Sequence, residues 1–247
     1  MNTRFILLLI LLNFVTLHAE TIKADYKVEF GIIGEIGVAN AVLTRDEKRY
    51  EINVKLKATG LADTLSGGRS EQHISRGRIE NGVMISDYYQ ITQTQGSKMS
   101  NKLYTIDHEN KKVLKTSKRW KNSKVILDSN QTLEYYAKDD LLTLYFNLDK
   151  KIEDKFKAKD YTFIVVGAEK RKGKVEVTIP DEERSKEYKE ALGSGEKTWF
   201  AGAIIHQQVF SSDKGELLLK IGDDGITQKA VLKDLILFGD IRAKRID

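Results

Sequence analysis

Beyond its first 19 residues the chain has three histidines, His73, His108 and His206, the side chains best suited to acid–base or metal chemistry. None has a second histidine or a carboxylate at a recognised metal-ligand spacing. Each lies in a predicted strand or turn, which favours a solvent-exposed or hydrogen-bonded histidine over a catalytic one. The sequence therefore predicts no metal site, no cofactor and no histidine-based active site.

Three short motifs resemble functional loops without matching them. Ser66 precedes two glycines but lacks the G-x-S-x-G elbow of a nucleophilic serine. Residues 193–197 (GSGEK) lack the spacing of a phosphate-binding loop and follow a predicted helix, so we interpret them as a helix stop. Asp223-Asp224-Gly225 is too short for a calcium loop and predicts a β-turn. A triad assembled from distant parts of the chain stays open, because a triad is a spatial arrangement.

The amino-acid composition excludes further kinds of active site and ligand. The chain has no cysteine, so disulfides, thiolate nucleophiles and thiolate-ligated metals are excluded. It has 41 basic and 36 acidic residues, an excess too small to indicate nucleic-acid binding. The basic cluster at residues 170–174 could contact an anionic lipid or polymer, but a solvated hairpin tip is the simpler interpretation.

The first residues predict a cleavable export signal, residues 1–19. Arg4 gives a positive start, residues 5–12 are an unbroken apolar run, and Ala19 is a small residue suited to the position before a cleavage site. The apolar stretch is short for a membrane span of about 20 residues. We therefore expect a mature periplasmic chain of residues 20–247 with no stable membrane span.

Alternation of apolar and charged residues dominates the mature chain. Residues 22–30 and 50–58 each have one apolar and one charged face, and residues 36–44 between them carry small residues that allow another layer to approach closely. This pattern predicts three antiparallel strands in a meander. Further strands are predicted by short apolar runs or turn signals. They lie at residues 72–75, 84–94, 102–106, 113–116, 125–127, 161–166, 175–179, 198–205, 207–210, 216–221, 228–232 and 235–242.

Helical spacing appears twice. Asp139 or Asp140 can cap a helix over residues 140–152 with an apolar stripe, and a second helix over residues 181–192 starts after Pro180 and ends at Gly193. Two modest helices cannot cover so many amphipathic strands. The sequence therefore predicts a mainly β fold, with one curved antiparallel sheet closing into an open or half barrel, or two packed sheets. No linker divides residues 20–247, although two β halves meeting near residue 139 remain an alternative.

Residues 135–145 (YYAKDDLLTLY) resemble the central D-x-L-S-x-L-Y-x-L helix of a family of exported bacterial proteins built on a β-rich domain of unknown function. The strand at residues 26–30, the Asp224-Gly225 turn, and residues 230–232 and 238–242 resemble the opening and closing strands of that family. The resemblance implies a periplasmic curved half-barrel. It implies no catalytic residues.

We therefore expect a non-enzymatic exported protein that binds a hydrophobic or extended ligand, a lipid or an envelope polymer, in the groove of a curved sheet. The candidates for lining this groove are aromatic: Tyr26, Phe30, Tyr50, Tyr88 and Trp199. Two alternatives remain open. An unpaired strand edge could recruit an envelope protein partner, or a clustered Ser–His–acid site could make the chain an envelope hydrolase.

Overall fold

The computed structural model describes residues 19–206, 215–233 and 240–247. The first half of the chain forms a meander of eight strands whose side chains alternate between the two faces of the sheet, as the sequence predicts. They are β1 Glu20–Phe30, β2 Gly34–Arg45, β3 Arg49–Ala58, β4 Ser70–Glu80, β5 Val83–Gln95, β6 Lys98–Asp107, β7 Lys112–Lys121 and β8 Lys124–Thr132.

The second half adds seven strands to the other side of β1, and all fifteen form one sheet. These strands are β9 Asp139–Asp140, β10 Lys159–Val166, β11 Lys174–Ile179, β12 Thr198–Ile205, β13 Glu216–Gly222, β14 Thr227–Leu232 and β15 Ile241–Arg245. β15 pairs antiparallel with β1, with Phe30 opposite Ile241. The first and last strands of the meanders therefore meet in the middle of the sheet, and β8 and β9 are its two edges.

Both predicted helices are confirmed, as α2 Leu141–Lys151 and α3 Glu182–Leu192. A further helix, α1 Gly60–Ser66, was not predicted. α1 buries none of its residues, so it lacks the apolar stripe by which the sequence reveals a helix. No helix in the described ranges is long and apolar enough to cross a membrane.

Several strands are longer than predicted, most clearly β4, β7 and β8, because polar side chains on both faces hide the alternation at their ends. The predicted strand at residues 207–210 and most of the one at 235–242 lie outside the described residues, as does most of the predicted export signal.

The sheet curls without closing. The edge that carries β9 and β10 lies against the inner face of β5, β6 and β7, where Val166 joins a core cluster with Tyr89 and Tyr104. The backbone nitrogen of Ser86 on β5 also donates to the Lys138 carbonyl beside β9 (2.9 Å). The mainly β fold is thus one large curved, unclosed sheet, as predicted, and not two packed sheets.

Candidate ligand-binding interior

α2 lies inside the curved sheet and is held there by a buried aspartate. Asp140 caps the helix, with its Oδ1 accepting from the backbone nitrogens of Leu142 (2.7 Å) and Thr143 (3.0 Å). Its Oδ2 accepts from the hydroxyls of Ser75 on β4 (2.5 Å) and Thr143 (2.9 Å). Tyr50 of β3 completes the network with 3.0 Å contacts to both hydroxyls. A single carboxylate therefore fastens the helix to the inner face.

Burial of Asp140 has an electrostatic consequence. The residue has no solvent exposure. Burial raises the pKa of its carboxyl above the usual range, and the hydroxyl and backbone donors around it oppose this shift. The Ser86 hydroxyl is buried in the same region and is among the groups that lower this pKa. The site therefore holds its negative charge at an energetic cost.

The other end of α2 closes one end of the curved sheet. The Asn147 side chain donates to the Met84 carbonyl (2.8 Å) and accepts from the Met84 nitrogen (3.2 Å). Lys150 donates to the carbonyl of Gly82, in the turn between β4 and β5. We call this the closed end. Because consecutive strands are antiparallel, the turns of the first meander alternate between the closed end and the opposite one, the open end.

Away from α2 the inner face becomes progressively uncovered. Inward-facing residues that pair across neighbouring strands form rows on this face. In the row level with the start of α2, Leu43, Ile52 and Tyr89 are fully buried. One row towards the open end, Val54 and Ile91 are only half-buried. In the next row, Leu56 is 38% exposed although it points inward. The inner face thus offers an apolar surface above α2.

The strands of the second half continue this surface. Phe30 of β1, Ile241 of β15, Leu232 of β14 and Leu217 of β13 lie in one cross-strand row. Of these, Leu232 is buried and the other three are half-buried. Val28 lies one row deeper and is half-buried as well. The apolar wall therefore extends across the junction of the two meanders.

Polar side chains of β4 and β5 lie beside this wall on the inner face. We call Glu71, His73, Tyr89 and Gln93 the polar row. His73 Nδ1 lies 2.7 Å from the Tyr89 hydroxyl, and His73 Nε2 lies 2.6 Å from Glu71 Oε1. The other oxygen of Glu71 accepts from the Gln93 amide (2.8 Å). Burial alone would raise the pKa of the Glu71 carboxyl, but the hydrogen bond from His73 and the other donors lower it. Burial raises the pKa of Tyr89 well above its usual value.

The polar row continues to the second half through stacked tyrosines. The rings of Tyr89 and Tyr104 stack with centroids 5.8 Å apart. The Tyr104 hydroxyl donates to Glu169 Oε1 (2.5 Å), and the Lys115 ammonium donates to Oε2 (2.6 Å). Glu169 follows β10, so this contact ties the inner edge of the sheet to β6 and β7.

The other two histidines are hydrogen-bonded as well. His108 contacts the Tyr136 hydroxyl (2.9 Å) and the Ser86 carbonyl (2.8 Å), and His206 lies 2.9 Å from Glu176. Within the described ranges, no three His, Asp or Glu side chains are grouped as a metal ion would require.

The five aromatic candidates for the groove have different surroundings. Tyr26 and Phe30 lie on the inner face, where Tyr26 is buried and donates to the Thr227 carbonyl (2.9 Å). Tyr50 is buried in the network around Asp140, and Trp199 is buried in the core of the second half. Tyr88 lies on the outer face with Arg76 above its ring. Only Phe30 lies on the partly uncovered inner surface.

Two of the short motifs that resemble functional loops serve as a turn and as a helix cap. The Ser66 hydroxyl bonds the Asp63 carbonyl (3.3 Å) and the Arg69 nitrogen (3.2 Å), both within the turn that ends α1. Gly193 caps α3 with φ of 74°, which confirms the helix stop. Sequence reasoning overlooked Glu71 and Glu169. The Glu-x-His spacing in β4 was an available signal, because residues two apart in a strand share a face.

These features define a class: a mainly β protein built on one curved, unclosed sheet with a helix at its closed end. The crystal structure of a β-barrel-like protein of the domain of unknown function DUF1849 from Brucella abortus has a similar fold. It aligns with a TM-score of 0.51 over 91% of this chain and 95% of that chain, at 12% sequence identity. At that identity the likeness shows the fold alone, and it indicates no enzyme family. No protein-family model and no curated protein matches the sequence.

Proposed function

We propose that this chain is an exported, non-enzymatic periplasmic protein that binds the acyl chain of a lipid in the interior of its curved sheet. The observation that carries the proposal is the gradient of exposure along the inner face, from buried Ile52 to half-buried Val54 and then to Leu56. Inward-facing aliphatic side chains are ordinarily covered by the core, so their exposure favours an apolar ligand.

The chemistry of the wall selects the ligand class. Its uncovered members are mainly aliphatic: Val28, Phe30, Val54, Leu56, Ile91, Leu217 and Ile241. An acyl chain would gain about 0.8 kcal/mol for each methylene that these side chains remove from water. A carbohydrate polymer would instead need exposed aromatic platforms, and Tyr50 and Trp199 are buried. The wall therefore favours a lipid over an envelope polysaccharide.

The polar row is suited to the head of such a ligand. Glu71 and Gln93 lie in the same cross-strand row as Leu56, so an acyl chain on the aliphatic wall would bring its polar end within their reach. They can offer both hydrogen-bond acceptors and donors there.

The polar row gives no support to catalysis. It leads from Glu71 through His73 to Tyr89, whose side chain has no solvent exposure. A nucleophile must reach its substrate, and burial also keeps this phenol protonated. The arrangement supports a structural role for the histidine.

Leu56 and Leu114 provide a matched test, because they lie on opposite faces of the sheet and are 38% and 47% exposed. Leu56→Asn is expected to weaken binding of a fluorescent fatty acid by about tenfold, since it removes an aliphatic contact of about 1.4 kcal/mol from the wall. Leu114→Asn is expected to leave the affinity unchanged. Titration of the probe into each purified variant measures both.

Circular dichroism melts accompany the titration, so that a loss of fold is recognised. Equal affinities for the wild type and both variants would contradict binding at the inner wall. An absence of probe binding by the wild type would reject the lipid ligand altogether.

A further inference from the structure

Four segments come together at the open end of the first meander. They are the turn Gly31–Ile33, α1, the turn at Gly96 and Ser97, and the turn at Asn122 and Ser123. Backbone hydrogen bonds link the last three, with Gly96 donating to Gly67 (2.7 Å) and Asn122 to Ser97 (3.0 Å), and Thr59 before α1 donates to Ile36 of β2 (3.1 Å). The open end is therefore a continuous rim.

This rim exposes large apolar side chains. Ile33, Leu61, Leu65, Val125 and Ile126 are each more than half exposed, and Met99 is 38% exposed. Met99, Trp120 and Val125 lie directly opposite one another on β6, β7 and β8. Several large apolar side chains exposed along one end of the sheet mark an interaction surface, whereas single exposed apolar residues do not. We call these six exposed side chains, together with the half-buried Trp120, the apolar rim.

A row of lysines borders the apolar rim. Lys98, Lys121 and Lys124 lie directly opposite one another on the same three strands, and all three are exposed. Like charges in this arrangement repel and destabilise a sheet. In the described part of the chain none of the three forms an ion pair, and the neighbouring Asp128 is paired with Lys118 at 3.1 Å. The uncompensated charge favours an anionic partner.

We propose that the open-end rim docks on a membrane surface that contains anionic lipids. Aliphatic side chains and a tryptophan beside lysines are the combination that inserts at a bilayer interface, with the apolar groups among the acyl chains and the ammonium groups at the phosphates. An acidic soluble protein would satisfy the lysines but would leave Leu61 and Leu65 without an apolar environment. The membrane surface accounts for both features.

The location strengthens the inference, because the uncovered inner wall opens at the same end of the sheet. Docking would place that opening against the bilayer. The proposal itself does not depend on a ligand being held inside, so it can be tested on the empty mature chain.

Vesicle flotation tests the proposal with phosphatidylcholine vesicles, alone or mixed with phosphatidylglycerol. The mature chain is expected to float with the mixed vesicles. The triple variant Lys98→Gln, Lys121→Gln, Lys124→Gln is expected to lose about a hundredfold in partitioning, since each lysine at an anionic surface contributes about fivefold. The double variant Leu61→Ser, Leu65→Ser should also lose binding. Neither leucine is buried, so the fold is expected to persist.

A matched control changes the same charge at the closed end. Three exposed lysines lie there: Lys48 just before β3, Lys111 just before β7, and Lys112 at the start of β7. The variant in which all three are glutamine is expected to bind vesicles within twofold of the wild type. Three results would overturn the proposal: equal losses from both triple variants, unchanged binding by the rim variants, or binding to soluble polyglutamate with none to vesicles.

Trp120 gives an independent readout, because the chain has only two tryptophans and Trp199 is buried in the core. In a Trp199→Phe background, mixed vesicles are expected to shift the Trp120 emission to the blue. An emission maximum that vesicles leave unchanged would contradict insertion of the rim.

Discussion

Asp140→Ala is expected to lower the free energy of unfolding by about 4 kcal/mol. The carboxylate accepts four hydrogen bonds, two from the backbone at the start of α2 and two from hydroxyls. Its loss leaves those donors buried without a partner and removes the attachment of α2 to β4. Urea denaturation followed by circular dichroism measures the change.

Asp181 supplies the control, because it caps α3 in an exposed position and accepts only one bond, from the Arg184 nitrogen (2.8 Å). Asp181→Ala is expected to cost about 1 kcal/mol, as ordinary capping residues do. If the two alanine variants lose similar stability, Asp140 is no more than a helix cap.

The charge of Asp140 also makes a prediction about pH. Because its pKa is raised in the folded state, the native chain binds the proton more tightly than the unfolded chain, whose pKa is near 3.8. This contribution to stability therefore falls as pH rises from about 4 through the folded pKa. Asp140→Asn retains an acceptor for the helix without the charge. The stability of the wild type relative to this variant should decrease over that range, and a constant difference would contradict the assignment.

Glu169→Ala is expected to cost about 3 kcal/mol, because it leaves the ammonium of Lys115 and the hydroxyl of Tyr104 without their acceptor. The Lys115 side chain is only 12% exposed, so solvent compensates little. The substitution should loosen the contact between the inner edge of the sheet and β6 and β7. Chemical denaturation measures the loss. Hydrogen exchange is expected to increase in β9 and β10.

A second substitution and a control separate this contact from general effects. Lys115→Met should recover part of the stability in the Glu169→Ala background, since it removes the unpaired cation. Glu134→Ala breaks a 3.9 Å pair with Lys172 in which both side chains are largely exposed, and it is expected to change stability by less than about 0.5 kcal/mol. A cost for Glu134→Ala that matches that of Glu169→Ala would contradict a special role for the buried contact.

The pH dependence of the Glu169 contact has the opposite sign to that of Asp140. The donors Lys115 and Tyr104 outweigh burial and lower the pKa of its carboxyl below the ordinary value of 4.5. The contact therefore contributes fully above about pH 4.5, and its contribution is lost as pH falls through the folded pKa. The stability difference between the wild type and Glu169→Ala should shrink in acid, as denaturation at a series of pH values can measure.

The architecture was predictable where alternation is regular. β1 and β3 each have one apolar and one polar face, and the structure places β1, β2 and β3 within two residues of the predicted bounds. The helix over residues 140–152 was equally predictable, because the aspartate cap and the apolar stripe are both local signals. These elements follow from properties of neighbouring residues.

The candidate site was much less predictable, because its inner face is not uniformly apolar. β4 turns Glu71, His73 and Ser75 inward, so its alternation is hidden and only a fragment of the strand was predicted. Tyr50 and Trp199 were candidates for the groove, and their burial depends on α2 and on the second meander. Which aromatic residues are covered is decided by packing between distant segments, which periodicity does not report.

Native mass spectrometry of the chain, purified gently from the cells that produce it, tests the central claim most directly. Binding of an acyl chain at the inner wall predicts a bound mass that organic extraction removes and that lipid analysis identifies as an acyl-containing molecule. Leu56→Asn should reduce its occupancy, whereas Leu114→Asn should not. Repeated recovery of the unliganded mass, together with no uptake of hydrophobic probes, would contradict the claim.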